Sequence, residues 1–186
     1  MALALPVLMA VVAGLALGGR VGNLARLELR APWLFFSAIG LQVIAFPVGF
    51  MPWRTGTTAA SALWLASFVL LILAAVLNRR IAGVPLVALG MGANLAAVAA
   101  NGGTMPVLPE AMQGAGDDYL TQANSTVSGD PSLVWLVDRW AAPDWIPLAN
   151  VFSVGDVLIA VGAVVIVLAA MGPLRPGLTR RAPKEV

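Results

Sequence analysis

Cysteine and histidine are both absent from the 186 residues. Their absence excludes disulfide frameworks, zinc sites, histidine-ligated haem and any catalytic triad built on imidazole. Charge is scarce as well. Only 11% of residues are Asp, Glu, Lys or Arg, less than half of the roughly 25% found in ordinary soluble domains. So few charges cannot cover a water-facing surface, which removes the soluble enzyme of ordinary composition. What fills the chain is hydrocarbon: 60% of residues are hydrophobic and the mean hydropathy is +0.90. This is the composition of a small integral membrane protein. The net charge of +2 does not point to nucleic acid. Arginines and lysines sit in short clusters between apolar stretches rather than among aromatics on one surface. No motif calls for a cofactor.

A helix crossing the hydrocarbon needs about 20 mostly apolar residues. Five stretches qualify, at about 2–18, 32–50, 58–77, 81–100 and 151–171. The expected architecture is an all-α integral-membrane bundle of five spans forming a single domain over 1–186. A long structured outer loop occupies 101–150, and a basic cytoplasmic tail follows from 172 to 186. No basic residue precedes the first span, whereas Arg20, Arg26 and Arg30 follow it. A cleaved signal has the reverse order, so the first span reads as a retained helix with its amino terminus outside. On that orientation the inner segments hold Arg20, Arg26, Arg30, Arg79, Arg80, Arg175, Arg180, Arg181 and Lys184, which is nine of the eleven basic residues. The outer segments hold Arg54 and Arg139. Such a bias fixes the carboxyl terminus as cytoplasmic. Trp53, Trp135, Trp140 and Trp145 fall in outer segments, where indole rings favour the headgroup layer. Trp64, inside the third span, reads as lipid contact or helix packing.

The outer loop opens with Asn101-Gly102-Gly103-Thr104-Met105-Pro106-Val107, whose glycines permit backbone angles that other residues avoid. Pro109-Glu110 is placed to start a short helix. Asp130 and Pro131 form a cap and first residue for a further short helix through Trp140, too short to span and suited to lie at the bilayer surface. Its role is either a cover packed over the helix ends or a gate over an outward-opening cavity.

Ionisable groups inside a span are costly and usually face protein or water. Asp156 is the one such group, five residues into the fifth span and on the order of 8 Å below its outer edge. Asn150, Ser153 and Asp156 recur at intervals of three and share a side of that helix. Gly90, Asn94 and Asn101 share a face of the fourth span, and Gln42 lies near the middle of the second. Together they make a polar cluster open to the outer side. Asp156 is then hydrogen-bonded to Asn94 or paired with Arg139 or Arg54, and the cluster serves either as interhelical glue or as a site for substrate, ion or proton. Gly14 with Gly18, and Gly92 with Ala96, are small-residue pairs that fit close helix contacts within the chain, between copies, or in a larger membrane complex. Membrane lipid is the partner that composition requires.

Asn101-Gly102-Gly103-Thr104-Met105-Pro106-Val107 and Asn150-Val151-Phe152-Ser153-Val154-Gly155-Asp156-Val157-Leu158-Ile159 together resemble the bacterial membrane family catalogued as domain-of-unknown-function family 5317. The resemblance covers nearly the whole chain and implies a multi-pass protein of the bacterial cytoplasmic membrane, with no established activity. A weaker likeness links Asn150 to Gly162 and Gly22-Asn23-Leu24-Ala25-Arg26 to the motifs of lipoprotein signal peptidases. It implies two carboxylates that share a proton and activate water. Here Ala25 stands at the second aspartate position, and most of the roughly 30 Å core separates the two motifs.

The leading expectation is a non-enzymatic accessory, scaffold or lipid-side binding protein. Its working surface would be the outer loop with Gly102, Gly103, Met105 and Pro106, together with the Asn94–Asp156 cluster. The alternative is a small transporter or channel subunit, a homo-oligomer relaying protons or cations through Asp156.

Overall fold

The computed structural model describes residues 4–47, 53, 55–112, 125–142 and 151–172. It is mostly helical. Its elements in chain order are α1 (Ala4–Ala16), a 3-10 turn (Val21–Arg26), α2 (Trp33–Ala45), α3 (Thr57–Leu77), α4 (Val84–Ala100), β1 (Met105–Val107), α5 (Pro109–Met112), β2 (Ser125–Val127), β3 (Trp140–Ala141), β4 (Val151–Phe152) and α6 (Val154–Met171). Two of these, α3 and α6, are long and apolar enough to cross a membrane; α1, α2 and α4 are shorter apolar helices. Over their most apolar 18 residues, only 28% of α3 and 17% of α6 is buried inside the molecule, unlike the mostly buried core helix of a soluble protein. Large apolar side chains face outward along the helices: Leu8, Met9 and Val12 on α1, Phe36 on α2, Val69 on α3, Leu89 on α4 and Val161 on α6.

The five long helices pack side by side in the order α2–α3–α4–α6–α1. Chain order and spatial order therefore differ. The chain leaves α1 at one edge of the row and must reach α2 at the other. Residues 17–32 make that crossing as a strap along one end. Gly18, at φ +78°, ends α1 in a Schellman turn, closed by the Gly19 N–H on the Gly14 carbonyl at 2.8 Å. The strap is then held to the end of α6, where the Arg20 N–H and the Asn23 Nδ2 both donate to the Met171 carbonyl, at 3.2 and 3.0 Å. Farther along it is held by α3. Asn78, the buried C-cap residue of α3, accepts the Arg30 N–H at 2.8 Å and donates Nδ2 to the Arg30 carbonyl at 2.9 Å. The same Nδ2 donates to the Ala74 carbonyl at 2.8 Å. The strap and the adjoining α3–α4 turn carry Arg20, Arg26, Arg30, Arg79 and Arg80, so one end of the row is markedly basic.

The opposite end carries the connector between α4 and α6, and here the structure departs from two expectations. The chain is mostly helical, but this connector is built from short strands rather than being all α. β1 and β2 pair in parallel, Val107 bridges to Asp138, and β3 pairs antiparallel with β4. The helix expected from Asp130 to Trp140 does not form, and residues 132–136 are turns. Tertiary bonds outcompete the local signal. Asn101 accepts the Ser132 N–H at 2.9 Å and donates to the Ser132 carbonyl at 2.9 Å, after which Leu133 adopts φ +54°. Farther on, the Asp138 N–H donates to the Pro106 carbonyl at 3.0 Å, and the Asp138 carbonyl accepts the Leu108 N–H at 2.9 Å. Backbone groups spent this way cannot join a helical ladder.

The connector is packed rather than loose. Met105 and Val137 are buried with Ala97 and Val98 of α4, and Trp64 and Leu65 of α3 close over them. Val107, Ala111 and Val151 form a second buried cluster beside it. Trp64 also meets Phe46 edge-on at 5.8 Å and Phe68 at 5.5 Å, so its role is helix packing.

Candidate functional site

Of the six polar residues expected to gather, the structure brings three together. Ser153 is the N-cap of α6, with extended backbone (φ −105°, ψ 173°) and a fully buried side chain. The Asp156 N–H donates to its Oγ at 3.2 Å, and Asp156 Oδ2 accepts the Ser153 N–H at 2.9 Å. This reciprocal pair is a capping box, which satisfies two of the otherwise orphaned N–H groups of the first turn. Asn94 of α4 completes a ring by donating Nδ2 to Asp156 Oδ1 at 3.0 Å. The Ser153 hydroxyl lies 2.9 Å from both Asn94 Oδ1 and Asp156 Oδ2 and donates to one of them at a time. Among the described residues the side-chain partners of Asp156 are Asn94 and Ser153, with no carboxylate and no arginine between them.

The depth of Asp156 also changes. The span was expected to begin at 151, but Val151 and Phe152 pair with Ala141 and Trp140 as strands, so the helix begins at Val154. Asp156 is therefore the third residue of the helix, about 3 Å along the axis from its first residue, and its carboxyl group lies at the positive end of the helix dipole. The three-residue spacing that looked like one face of a span is instead the spacing of a helix cap.

Asn94 reaches this cap because α4 and α6 touch backbone to backbone. A Cβ at Gly155 would collide with Asn94 Oδ1 and lie 2.8 Å from the Gly90 carbonyl. One at Gly90 would collide with the Gly155 carbonyl. Seven residues away the same thing recurs. A Cβ at Gly162 would lie 2.7 Å from the Gly83 carbonyl, and one at Gly83, already at φ +90°, would collide with the Gly162 carbonyl. The pairs Gly90–Gly155 and Gly83–Gly162 thus run antiparallel along one seam. Gly92, which forms a small-residue pair with Ala96 in the sequence, makes no close helix contact within the chain: a Cβ there meets nothing within 4 Å. Gly14 does make a close contact, with Met171 at the α1–α6 packing.

Of the other expected residues, Gln42 and Asn101 lie elsewhere. Gln42 donates Nε2 to the buried Ser67 Oγ at 3.0 Å, joining α2 to α3 rather than entering the cluster. The Asn101 side chain is also committed. Besides Ser132, its Nδ2 donates to the Ala97 carbonyl at 2.7 Å, so it clips the connector to the end of α4. Asn150 and Arg54 lie outside the described residues. In the outer motif, Gly102 takes φ +70° and the Gly103 N–H donates to the Val98 carbonyl at 2.9 Å, the same Schellman closure as at α1. A Cβ at Gly103 would lie 2.6 Å from Ser61 Cβ of α3. Met105 and Pro106, in β1 of the connector, are buried. Arg139 does not reach Asp156: its guanidinium lies over the rings of Trp135 and Trp140, at 4.8 and 5.3 Å. Trp135 is 71% exposed, so this cation–π stack faces outward.

One working residue was missed. Asn78 uses its amide on Arg30 just as Asn101 does on Ser132, and in both cases the clipped residue is followed by one at positive φ, Ala31 or Leu133. An asparagine closing an apolar helix was the signal available. Among the described residues no group of three or more Asp, Glu, His or Cys is placed to hold a metal ion.

A family model described as a family of unknown function (DUF5317) matches residues 26–168, which include α2 to α5, the connector and the Asn94–Ser153–Asp156 ring. No curated protein and no solved structure matches the chain.

Proposed function

We propose that this chain, which belongs to the family of unknown function DUF5317, is a non-enzymatic five-span protein of the bacterial cytoplasmic membrane. In this reading it serves as an accessory or scaffold subunit that holds a rigid cap at the outer face. The observation that carries the reading is the closed ring at Asn94, Ser153 and Asp156. Its hydrogen bonds join α4 to the first turn of α6, which is what a clasp requires, and among the described residues no second carboxylate takes part. An aspartyl hydrolase needs two carboxylates in contact, and among the described residues the Asp156 side chain meets an amide and a hydroxyl instead. The five-span reading draws support from the outward-facing apolar side chains on all five long helices and from the arginines gathered at one end of the row. The Trp135–Arg139–Trp140 stack at the other end has the composition of an interfacial anchor.

Two experiments test this. The chain contains no cysteine, so single thiols report topology without background. Thr126→Cys and Ala82→Cys both fall on exposed positions. A membrane-impermeant maleimide should label the first on intact cells and the second only after permeabilisation; the reverse pattern would overturn the orientation. The second experiment is proton flux in reconstituted vesicles carrying a pH-sensitive dye. Wild type and Asp156→Asn should both match protein-free vesicles. A flux present in wild type and lost in Asp156→Asn would establish the relay reading instead.

A further inference from the structure

A groove of about 600 Å³ opens between α3 and α4, lined almost wholly by apolar atoms. It is lined by Ala75 and Val76 of α3 and by Pro85, Ala88, Leu89, Gly92 and Ala93 of α4. At its basic end stands the exposed Arg79. From Pro85 to Ala93 the groove follows the helix for about 12 Å, most of the roughly 15 Å depth of one leaflet. A Cβ at Gly92 would meet nothing within 4 Å, so this glycine is not explained by packing inside the chain, unlike Gly83 and Gly90.

We infer that this groove is a binding site for an anionic phospholipid of the inner leaflet, with an acyl chain along Ala88, Gly92 and Ala93 and the phosphate on Arg79. The inference deepens the membrane reading above and rests on its orientation, which puts Arg79 at the cytoplasmic surface. Charge decides the occupant. Two copies of this chain share one orientation in a membrane, so pairing through this face would bring their Arg79 and Arg80 side chains to the same depth, where like charges repel. A lipid phosphate neutralises the same charges, and anionic headgroups are concentrated at that surface. The missing side chain at Gly92 leaves the width that a chain of methylenes occupies.

The test is native mass spectrometry of the full-length protein in mild detergent, titrated with phosphatidylglycerol or with zwitterionic phosphatidylcholine. Wild type should retain phosphatidylglycerol in preference to phosphatidylcholine. Arg79→Gln should reduce that preference about five-fold, the effect of one basic residue at an anionic surface. Gly92→Leu should abolish retention of both lipids at this site while leaving the thermal midpoint unchanged, because the new side chain enters open space. Lipid adducts equal to wild type in both variants would overturn the site. So would a dimer in wild type that dissociates in Gly92→Leu, which would assign the groove to a second copy. Thiol labelling separates this outcome from failure of the membrane reading. Correct labelling at Thr126→Cys and Ala82→Cys with no lipid preference sinks the groove alone, whereas reversed labelling sinks the orientation on which both depend.

Discussion

Replacing Gly155 by alanine should lower the thermal midpoint of the purified protein by roughly 6–12 °C, or about 3 kcal/mol for a chain of this size. The added methyl group has no free direction. It collides with Asn94 Oδ1, lies 2.6 Å from Asn94 Cγ and is 2.8 Å from the Gly90 carbonyl. The Asn94 side chain cannot swing away without breaking its bonds to Asp156 and Ser153, and the Gly90 carbonyl is backbone. The helices must therefore separate along the seam that Gly83 and Gly162 share. Gly92→Ala provides the control. It makes the same chemical change on α4 with nothing within 4 Å, and it should stay within about 0.5 kcal/mol of wild type. Tryptophan fluorescence followed through a temperature ramp in mild detergent measures both. Equal losses in the two variants would show that the glycine seam carries no special load.

Asn94→Ala should cost less than Gly155→Ala, about 1–2 kcal/mol. Interhelical hydrogen bonds within membranes average about 0.6 kcal/mol and reach about 1.7, and Asn94 takes part in a donation to Asp156 Oδ1 and a contact with the Ser153 hydroxyl. Ser153→Ala removes the helix cap, a change worth about 1 kcal/mol, together with the same contact. Because the two substitutions delete one shared bond, their double variant should fall short of additivity by at least about 0.5 kcal/mol. Additive losses would mean that Asn94 and Ser153 do not act through each other. The ordering matters more than either figure: overlap at the seam exceeds the loss of hydrogen bonds, because a bond lost near a helix end is partly replaced and an atom in occupied space is not.

Several of these features are legible in the sequence. Asn94 and Asp156 stood out as polar residues in apolar stretches, and the structure joins them at 3.0 Å. The glycines of Asn101-Gly102-Gly103 marked a turn, and Gly102 and Gly103 do take positive φ. Pro109 does begin a short helix. The spacing Ser153-x-x-Asp156 carried a helix-cap signature as well as a facial one, and the second reading hid the first. Choosing between them needed the strand pair β3–β4, whose partners are ten or more residues apart. Gln42 and Asn101 were misplaced for a related reason. Depth along a helix can be counted from sequence, but which neighbour a face meets cannot.

Composition and local order by themselves determined the solvent-like character of this chain: apolar helices of roughly span length, arginines gathered between them, and the acidic connector set apart. Those follow from transfer free energies and helix rise, which depend on each residue and its near neighbours. The tertiary structure alone decided the order α2–α3–α4–α6–α1, the antiparallel glycine seam, and the replacement of an expected helix at 130–140 by turns. Each of these is a competition between distant segments for the same surface or the same backbone hydrogen bonds. Asn78 on Arg30 and Asn101 on Ser132 show why: both tie helix ends to segments 48 and 31 residues away, separations over which no local propensity reaches.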